Sequence, residues 1–268
     1  MTNPEYVFEV EGDVALPTEL ARGPWSPHAQ HGGAPSALLA GQLETFEAST
    51  ATFPARFTLE LMRPVPLAPL RIERRVIRQG KKVQLVQGSL FADDVEVVRA
   101  TLLRLREQAV EFATEPVAGE ARPLPPPGAP QQMGGDWTSG LGFWNAVDVS
   151  RVGGGSGGSG GPGAPGPASM WLRLTVPIVA GEEPTPFQRV AAAGDFGNGV
   201  AAAFDRLQYS CINPDLTITL HRLPAGEWVG LDSATFPERT GMGVAESVLH
   251  DEQGRIGRAV QTVLIEEL

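Results

Sequence analysis

The apolar positions of this chain fall into two series, each a helix-period stretch followed by strand-like runs. In the first, a short strand is expected at residues 6–11 and a helix from 34 to about 46. Leu38, Leu39, Leu43 and Phe46 are spaced for one helix face, and Pro35 suits the first turn. Four runs follow, at 56–63, 70–78, 83–92 and 95–105; the first alternates strictly, with Phe57, Leu59 and Leu61 on one side.

The second series repeats that order. A strand is expected at 171–178, and an Ala-rich helix from 187 to about 207, with Gly194, Gly197 and Gly199 as weak points. Strand-like runs then come at 216–222, 228–236, 243–249 and 256–265. The sequences echo each other. TLELMRPVP from Thr58 matches TITLHRLPA from Thr217, and FADDVEVVRATLL from Phe91 matches HDEQGRIGRAVQTVL from His250. One helix and a meander of strands, twice over, predicts an α+β fold with two antiparallel sheets, each wrapping a long helix. A single unit leaves a sheet edge open, so the two sheets are expected to join edge to edge.

Between the series lies RVGGGSGGSGGPGAPGPAS from Arg151, whose composition cannot bury enough apolar surface to order itself. It lacks the flanking strand and helix and the Lys/Ser pair of a phosphate-binding loop. The stretch from Ala118 to Met133 is Pro-rich and reads as loop, while Trp137, Phe143 and Trp144 between the two suggest a short element packed on a core, or part of a lid. The expected division is an N-terminal unit at 1–117, a Pro/Gly-rich linker at 118–168 and a C-terminal unit at 169–268.

Charge and cysteine usage narrow the function classes. A formal charge of −10 over 268 residues disfavours a general nucleic-acid or membrane-surface binder. The balance is uneven: Arg71, Arg74, Arg75, Arg78, Lys81 and Lys82 face one acid, Glu73, within a dozen positions. The one cysteine, Cys211, excludes an intrachain disulfide. No leader-like start and no apolar run of membrane-spanning length are visible, so the expected location is the cytoplasm, without membrane insertion.

HGGAPSALLAG at His31, LMRPVPL at Leu61, DLTITLHRLPAGEW at Asp215 and GRAVQTVL at Gly257 together resemble the TesB-type acyl-CoA thioesterases. These are double hot-dog proteins, and the resemblance covers nearly the whole chain outside the Gly-rich segment. It implies an acyl-CoA substrate, no cofactor, a role in lipid metabolism and a homodimer. It also implies three catalytic positions in the second unit. The family's helix Asp matches Asp195 in AAGDFGNG, and its last-strand Gln matches Gln261 in RAVQTVL. Counted back from the shared His-Arg pair, its Thr position falls on Asn213, a departure from the family pattern. An amide can still hold a water, since it both donates and accepts.

Thioester hydrolysis needs a water, a base and donors for the developing oxyanion. Asp195 is the expected base, with a carboxyl raised by desolvation; the competing reading is a cap on a broken helix. Gln261 and Asn213 are expected to orient the water, or Gln261 is simply a bonded core amide. The repeat counterpart of Gln261 is Leu102, and that of Asp195 falls near Ala40. Gly32 and Gly33, before the first helix, are candidates to polarise the carbonyl through free N–H groups, with His31 assisting or merely exposed. Arg74, Arg75 and Arg78 are candidates for the CoA phosphates, or a solvated edge. Cys211 has no evident base beside it, the four His lack metal-ligand spacing, and no G-x-S-x-G elbow is present. Two other functions stay open. One is an enoyl-CoA hydratase on the same fold; hydratases of that kind resemble each other in an Asp with a His about five residues on, where FGNGV stands here. A non-catalytic acyl-CoA binder would release no CoA.

Overall fold

The computed structural model describes residues 4–48, 51–117, 119, 122–133, 140–152, 165–204 and 208–268. Its strands in chain order are β1 (Phe8–Glu11), β2 (Val14–Pro17), β3 (Thr52–Leu61), β4 (Leu70–Arg78), β5 (Val83–Ala92), β6 (Val95–Arg106), β7 (Gln131–Gln132), β8 (Val147–Arg151), β9 (Ala168–Leu174), β10 (Tyr209–Ile212), β11 (Asp215–Leu220), β12 (Val229–Pro237), β13 (Met242–Asp251) and β14 (Gly254–Glu267). The helices are α1 (Gly33–Thr45), α2 (Pro186–Gly194) and α3 (Gly197–Val200).

All these strands join one antiparallel sheet in the order β1-β2-β4-β5-β6-β3-β11-β14-β13-β12-β9-β8-β7, with β10 paired beside β14. The expected pair of sheets is therefore one continuous sheet, fused where β3 lies against β11. At that seam Thr58 faces Thr217, Phe57 faces Ile218 and Leu59 faces Leu216. Thr58 and Thr217 are the first residues of the two echoing sequences, so equivalent positions meet head-on, as a local two-fold axis requires. The hairpins obey the same symmetry. β5 and β6 shift register between Leu90 and Phe91, and β13 and β14 shift between Leu249 and His250, each just before a two-residue turn. Leu102 pairs with Val86, and Gln261 with Ala245, at matching places in the two halves.

The helices lie on this sheet and touch each other. In α1 every residue from Gly33 to Ala40 is buried, as expected of a helix that is apolar all round. Small residues allow close approach to α2: Ser36 donates to the Ala191 carbonyl at 3.0 Å, and a Cβ on Gly41 would lie 2.4 Å from the Gln188 amide. Phe57 of β3 and Phe187 of α2 meet edge to face at 5.8 Å. The helices run antiparallel, so the end of one meets the start of the other. Thr185, which caps α2 and accepts from the Gln188 N–H, donates from its hydroxyl to Glu44 near the end of α1. Burial pushes the Glu44 carboxyl up, and the Thr185 hydrogen bond pulls it partly back. Arg104 of β6, 1% exposed, donates to the Glu44 and Phe46 carbonyls and so satisfies the C-terminal end of α1.

Three expectations need correction. The second helix does not run from 187 to 207: α2 stops at Gly194, and four residues of α3 follow after a break at Asp195 and Phe196; Leu207 lies outside the described residues. A Cβ on Gly197 would sit 2.6 Å from Ser247 Oγ, so the chain must turn where it passes β13 and β14. The stretch 118–168 is not linker throughout. It carries β7, β8 and the start of β9, and it buries Phe143 and Trp144 in the core; Trp137 and most of the Gly-rich run lie outside the described residues. β2 and β10 were not foreseen, being four residues each with no alternation.

Replacing Arg104 by Leu leaves two carbonyls at the end of α1 without a donor. Urea unfolding should show a loss of about 2–6 kcal/mol, since each of the two stranded polar groups costs about 1–3 kcal/mol.

Candidate active site

The break between α2 and α3 places a carboxylate in the interior. Asp195 caps the end of α2, and its side chain is 5% exposed. A buried charge must be met by donors or lose its ionisation. Three side chains from distant stretches meet this one. Asn213, in the turn between β10 and β11, donates to Oδ1 at 2.9 Å. Gln261 of β14 donates to Oδ1 at 3.3 Å and to the Asp195 carbonyl at 3.2 Å. His31 Nδ1 lies 3.1 Å from Oδ2. Gln261 is 1% exposed, and its Oε1 accepts the Asn198 N–H at 3.0 Å, so one amide ties β14 to both sides of the helix break.

The electrostatics correct the expected raised pKa. Burial pushes the Asp195 carboxyl up, but hydrogen bonding and charge from His31, with hydrogen bonds from Asn213 and the Gly33 N–H, outweigh it; the net shift is downward. Asp195 is ionised at neutral pH. His31 Nδ1 also lies 3.0 Å from the Gly33 nitrogen. That nitrogen donates its N–H to Nδ1, and the same N–H helps to lower the Asp195 carboxyl. The imidazole packs against both Phe143 at 5.3 Å and Phe196 at 4.6 Å, whose rings lie 6.0 Å from each other.

The glycines before α1 have a steric reason. A Cβ on Gly32 would lie 2.8–3.0 Å from the Asp195 carboxyl, and one on Gly33 would lie 2.8 Å from the Phe143 ring. Of the two expected oxyanion donors, Gly33 is spent on His31 and Asp195. The Gly32 N–H has no hydrogen-bond partner among the described residues.

A cavity of about 510 Å³ opens onto this cluster. Asp195, Asn213, His31 and Gly32 form its polar floor, with Asn198 beside them, and the walls are mainly apolar: Trp25, Leu61, Met62, Val65, Phe196, Phe204, Tyr209 and Ile212. Gln261 is not in the lining. It therefore holds the carboxylate from behind rather than touching a water in the cavity.

Arg74, Arg75 and Arg78 do not line the cavity. They sit on β4, separated from β11 by β5, β6 and β3. Arg74 bonds Gln42 at 2.8 Å and Asp13, and Arg75 bonds Gln87 at 3.1 Å, so these two hold neighbouring strands and α1. Among the described residues the Lys or Arg side chain that does line the cavity is Arg63. It stands in the LMRPVPL segment, where the density of nearby arginines drew attention away from it. Asn198 was also missed. Its signal was the run GDFGNG, where three glycines around Asp195 and Asn198 announced a turn rather than a helix.

The fold and this site define a class, and comparison with known proteins agrees. The structure superposes on hot-dog proteins: a candidate thioesterase II from Thermobifida fusca (TM-score 0.71, 19% identity, 98% of this chain and 96% of the other) and a hot-dog protein of unknown function from Alicyclobacillus acidocaldarius (0.69, 15%, 97% and 95%). The acyl-CoA thioesterase II TesB2 from Mycobacterium marinum is similar as well (0.68, 15%, 97% and 96%). No curated protein sequence matches. The acyl-CoA thioesterase N-terminal domain profile matches residues 21–105, and the C-terminal domain profile matches 118–265. The chain belongs to the acyl-CoA thioesterase family and is a thioester hydrolase. No helix among the described residues is long and apolar enough to cross a membrane.

Two predictions follow from this geometry. Gly32→Ala pushes the carboxylate aside, so kcat for thioester hydrolysis, measured per folded enzyme, should fall about 10²-fold, the cost of about 1 Å of misplacement. The second concerns acid stability. The folded pKa of Asp195 lies below its unfolded value of about 3.9, so its contribution is complete above that value and is lost as pH falls through the folded pKa. Below pH about 4 the wild-type unfolding free energy should fall more steeply than that of Asp195→Asn, as measured by urea titrations at stepped pH.

Proposed function

We propose that the chain hydrolyses fatty acyl-CoA by direct attack of a water held against Asp195. The observation that carries this is a buried ionised carboxylate, pinned by donors from three separate stretches, on the floor of a largely apolar cavity. The water donates to the carboxylate and to the free Oδ1 of Asn213, and its oxygen attacks the thioester carbon. Its proton passes to Asp195. The Gly32 N–H, at the positive end of α1, takes the charge that develops on the carbonyl oxygen. The C–S bond then breaks and the thiolate leaves with the proton, giving free acid and CoA. The apolar walls take the acyl chain, and Arg63 meets an anionic part of CoA at the mouth.

One observation favours a second arrangement. The lowered pKa of Asp195 makes it a weak base. In that arrangement Nδ1 carries a proton donated to Asp195, 3.1 Å away, in place of accepting from Gly33, and Nε2 takes the proton from water while Asp195 steadies the imidazolium. His31→Gln separates the two readings. It should cost little if Asp195 is the base, and as much as Asp195→Asn if His31 is.

We further propose that each half is a hot-dog unit, the pair forming a double hot-dog related by the axis through Thr58 and Thr217. A homodimer belongs to the same reading. Ile212, Leu264 and Met242 face one another across three strands with Phe236 nearby, all at least 45% exposed, a row that a second copy would cover.

The test is CoA release over a panel of saturated acyl-CoAs. The wild type should release CoA, and Asp195→Asn should lower kcat about 10²–10⁴-fold, the range for loss of a general base. Release by Asp195→Asn at the wild-type rate would overturn the mechanism, and no release by the wild type would leave only a binder.

A further inference from the structure

One polar side chain on the cavity floor has no part in the mechanism above. Asn198 of α3 is 9% exposed and lines the cavity. Its backbone N–H donates to Gln261 Oε1 at 3.0 Å, and its Nδ2 donates to the Cys211 carbonyl at 3.4 Å. This second bond fixes which way the amide points, because a flip would set its oxygen against a carbonyl oxygen. The other amide atom, Oδ1, accepts from nothing among the described residues. Nor is it sealed: the unpartnered amide oxygens without accessible surface are those of Gln30 and Gln84. Asn198 is otherwise buried and lines this cavity, so the surface that Oδ1 keeps faces the cavity space. A donor for it comes from whatever fills that space.

The floor is short of donors. The attacking water occupies Asp195 and the Oδ1 of Asn213, and the carbonyl oxygen occupies the Gly32 N–H, so Asn198 Oδ1 stands beside the reaction as a surplus acceptor. Cys211, whose carbonyl anchors it, is two residues from Asn213, at most about 7 Å along the chain. We infer that Asn198 Oδ1 accepts an N–H or O–H of the bound thioester a few bonds from its carbonyl, which makes Asn198 a specificity-determining residue. The inference rests on the thioesterase reading. Two parts of a substrate offer that chemistry: the first amide N–H of the pantetheine arm on the thiol side, and a hydroxyl at C3 of the acyl chain. Both lie within about 5 Å of the reacting carbon, since each intervening bond is about 1.5 Å long.

The experiment compares wild type, Asn198→Ala and the near-isosteric Asn198→Leu on three thioesters of equal acyl length: a saturated acyl-CoA, the same acyl group on a simple alkanethiol without amides, and a 3-hydroxyacyl-CoA. Ratios of kcat/KM between substrates are taken within each protein, so any loss of folded enzyme cancels. An amide donor predicts that the ratio of saturated acyl-CoA to alkanethiol ester falls about tenfold in both variants, which corresponds to one hydrogen bond lost. A hydroxyl donor predicts the same fall in the ratio of 3-hydroxyacyl-CoA to saturated acyl-CoA. Unchanged ratios overturn the inference, and so does a fall with Leu alone, which would be steric. Calorimetric binding of an S-alkyl-CoA thioether and its 3-hydroxylated form keeps this separate from the thioesterase reading. If the wild type hydrolyses nothing, that reading fails, yet about tenfold weaker binding of either thioether by Asn198→Ala still supports the inference, and unchanged binding of both overturns it.

Discussion

An ionised carboxylate in a protein interior is costly unless donors surround it, and much of this structure answers to that constraint at Asp195. The donors come from residues 31, 213 and 261, which are far apart along the chain. They converge because α1 and α2 run antiparallel and because β11 lies between β3 and β14. The seam of the sheet thus serves two purposes. It closes the open edges of two half-sheets, and it brings the start of α1 to the end of α2. Removing the carboxylate's charge would weaken the bonds it receives from His31 and Asn213, while Gln261 would keep the Asp195 carbonyl and the Asn198 N–H.

The two-fold relation shows where the two halves diverge around this floor. The contact between the start of α1 and Asp195 is mirrored by the contact between Thr185 and Glu44. In contact terms the counterpart of Asp195 is therefore Glu44, not a residue near Ala40. Both halves keep an acid at this place, but their surroundings differ. Glu44 has a hydroxyl for a partner and a carboxyl held up by burial, and the strand position behind it is Leu102. Asp195 has an imidazole and two amides, and the position behind it is Gln261. A change from Leu to Gln on one strand and from Thr to a Gly-Gly turn at one helix start accompanies the change from a carboxyl shifted up to one shifted down.

Much of this was legible in the sequence because it lies in period and repetition. The alternation around Phe57 and Leu59 gave β3, and the echo of Thr58 in Thr217 gave the repeat, though not which strands meet at the seam. The FADDV and HDEQG hairpins gave the paired turns. Asp195, Asn213 and Gln261 were reached through resemblance, and the structure brings all three together. What was not legible depends on what each side chain meets. The direction of the Asp195 shift rests on His31, 164 positions away, and no local pattern reports it. The arginines on β4 read as a phosphate site because they cluster in sequence, although their partners are strand and helix neighbours. Residues 118–168 read as linker on composition, yet β8 and Phe143 pack because the core beside them is apolar.

The central claim is that a water at Asp195 attacks the thioester directly, with no acyl group passing to the protein. A single turnover in ¹⁸O-labelled water, with enzyme in excess over acyl-CoA, tests it. Direct attack predicts one labelled oxygen in the released acid and none in the peptide that contains Asp195. Label in that peptide, or an unlabelled acid from the first turnover, would mean that the carboxylate itself had attacked, and the account would be wrong.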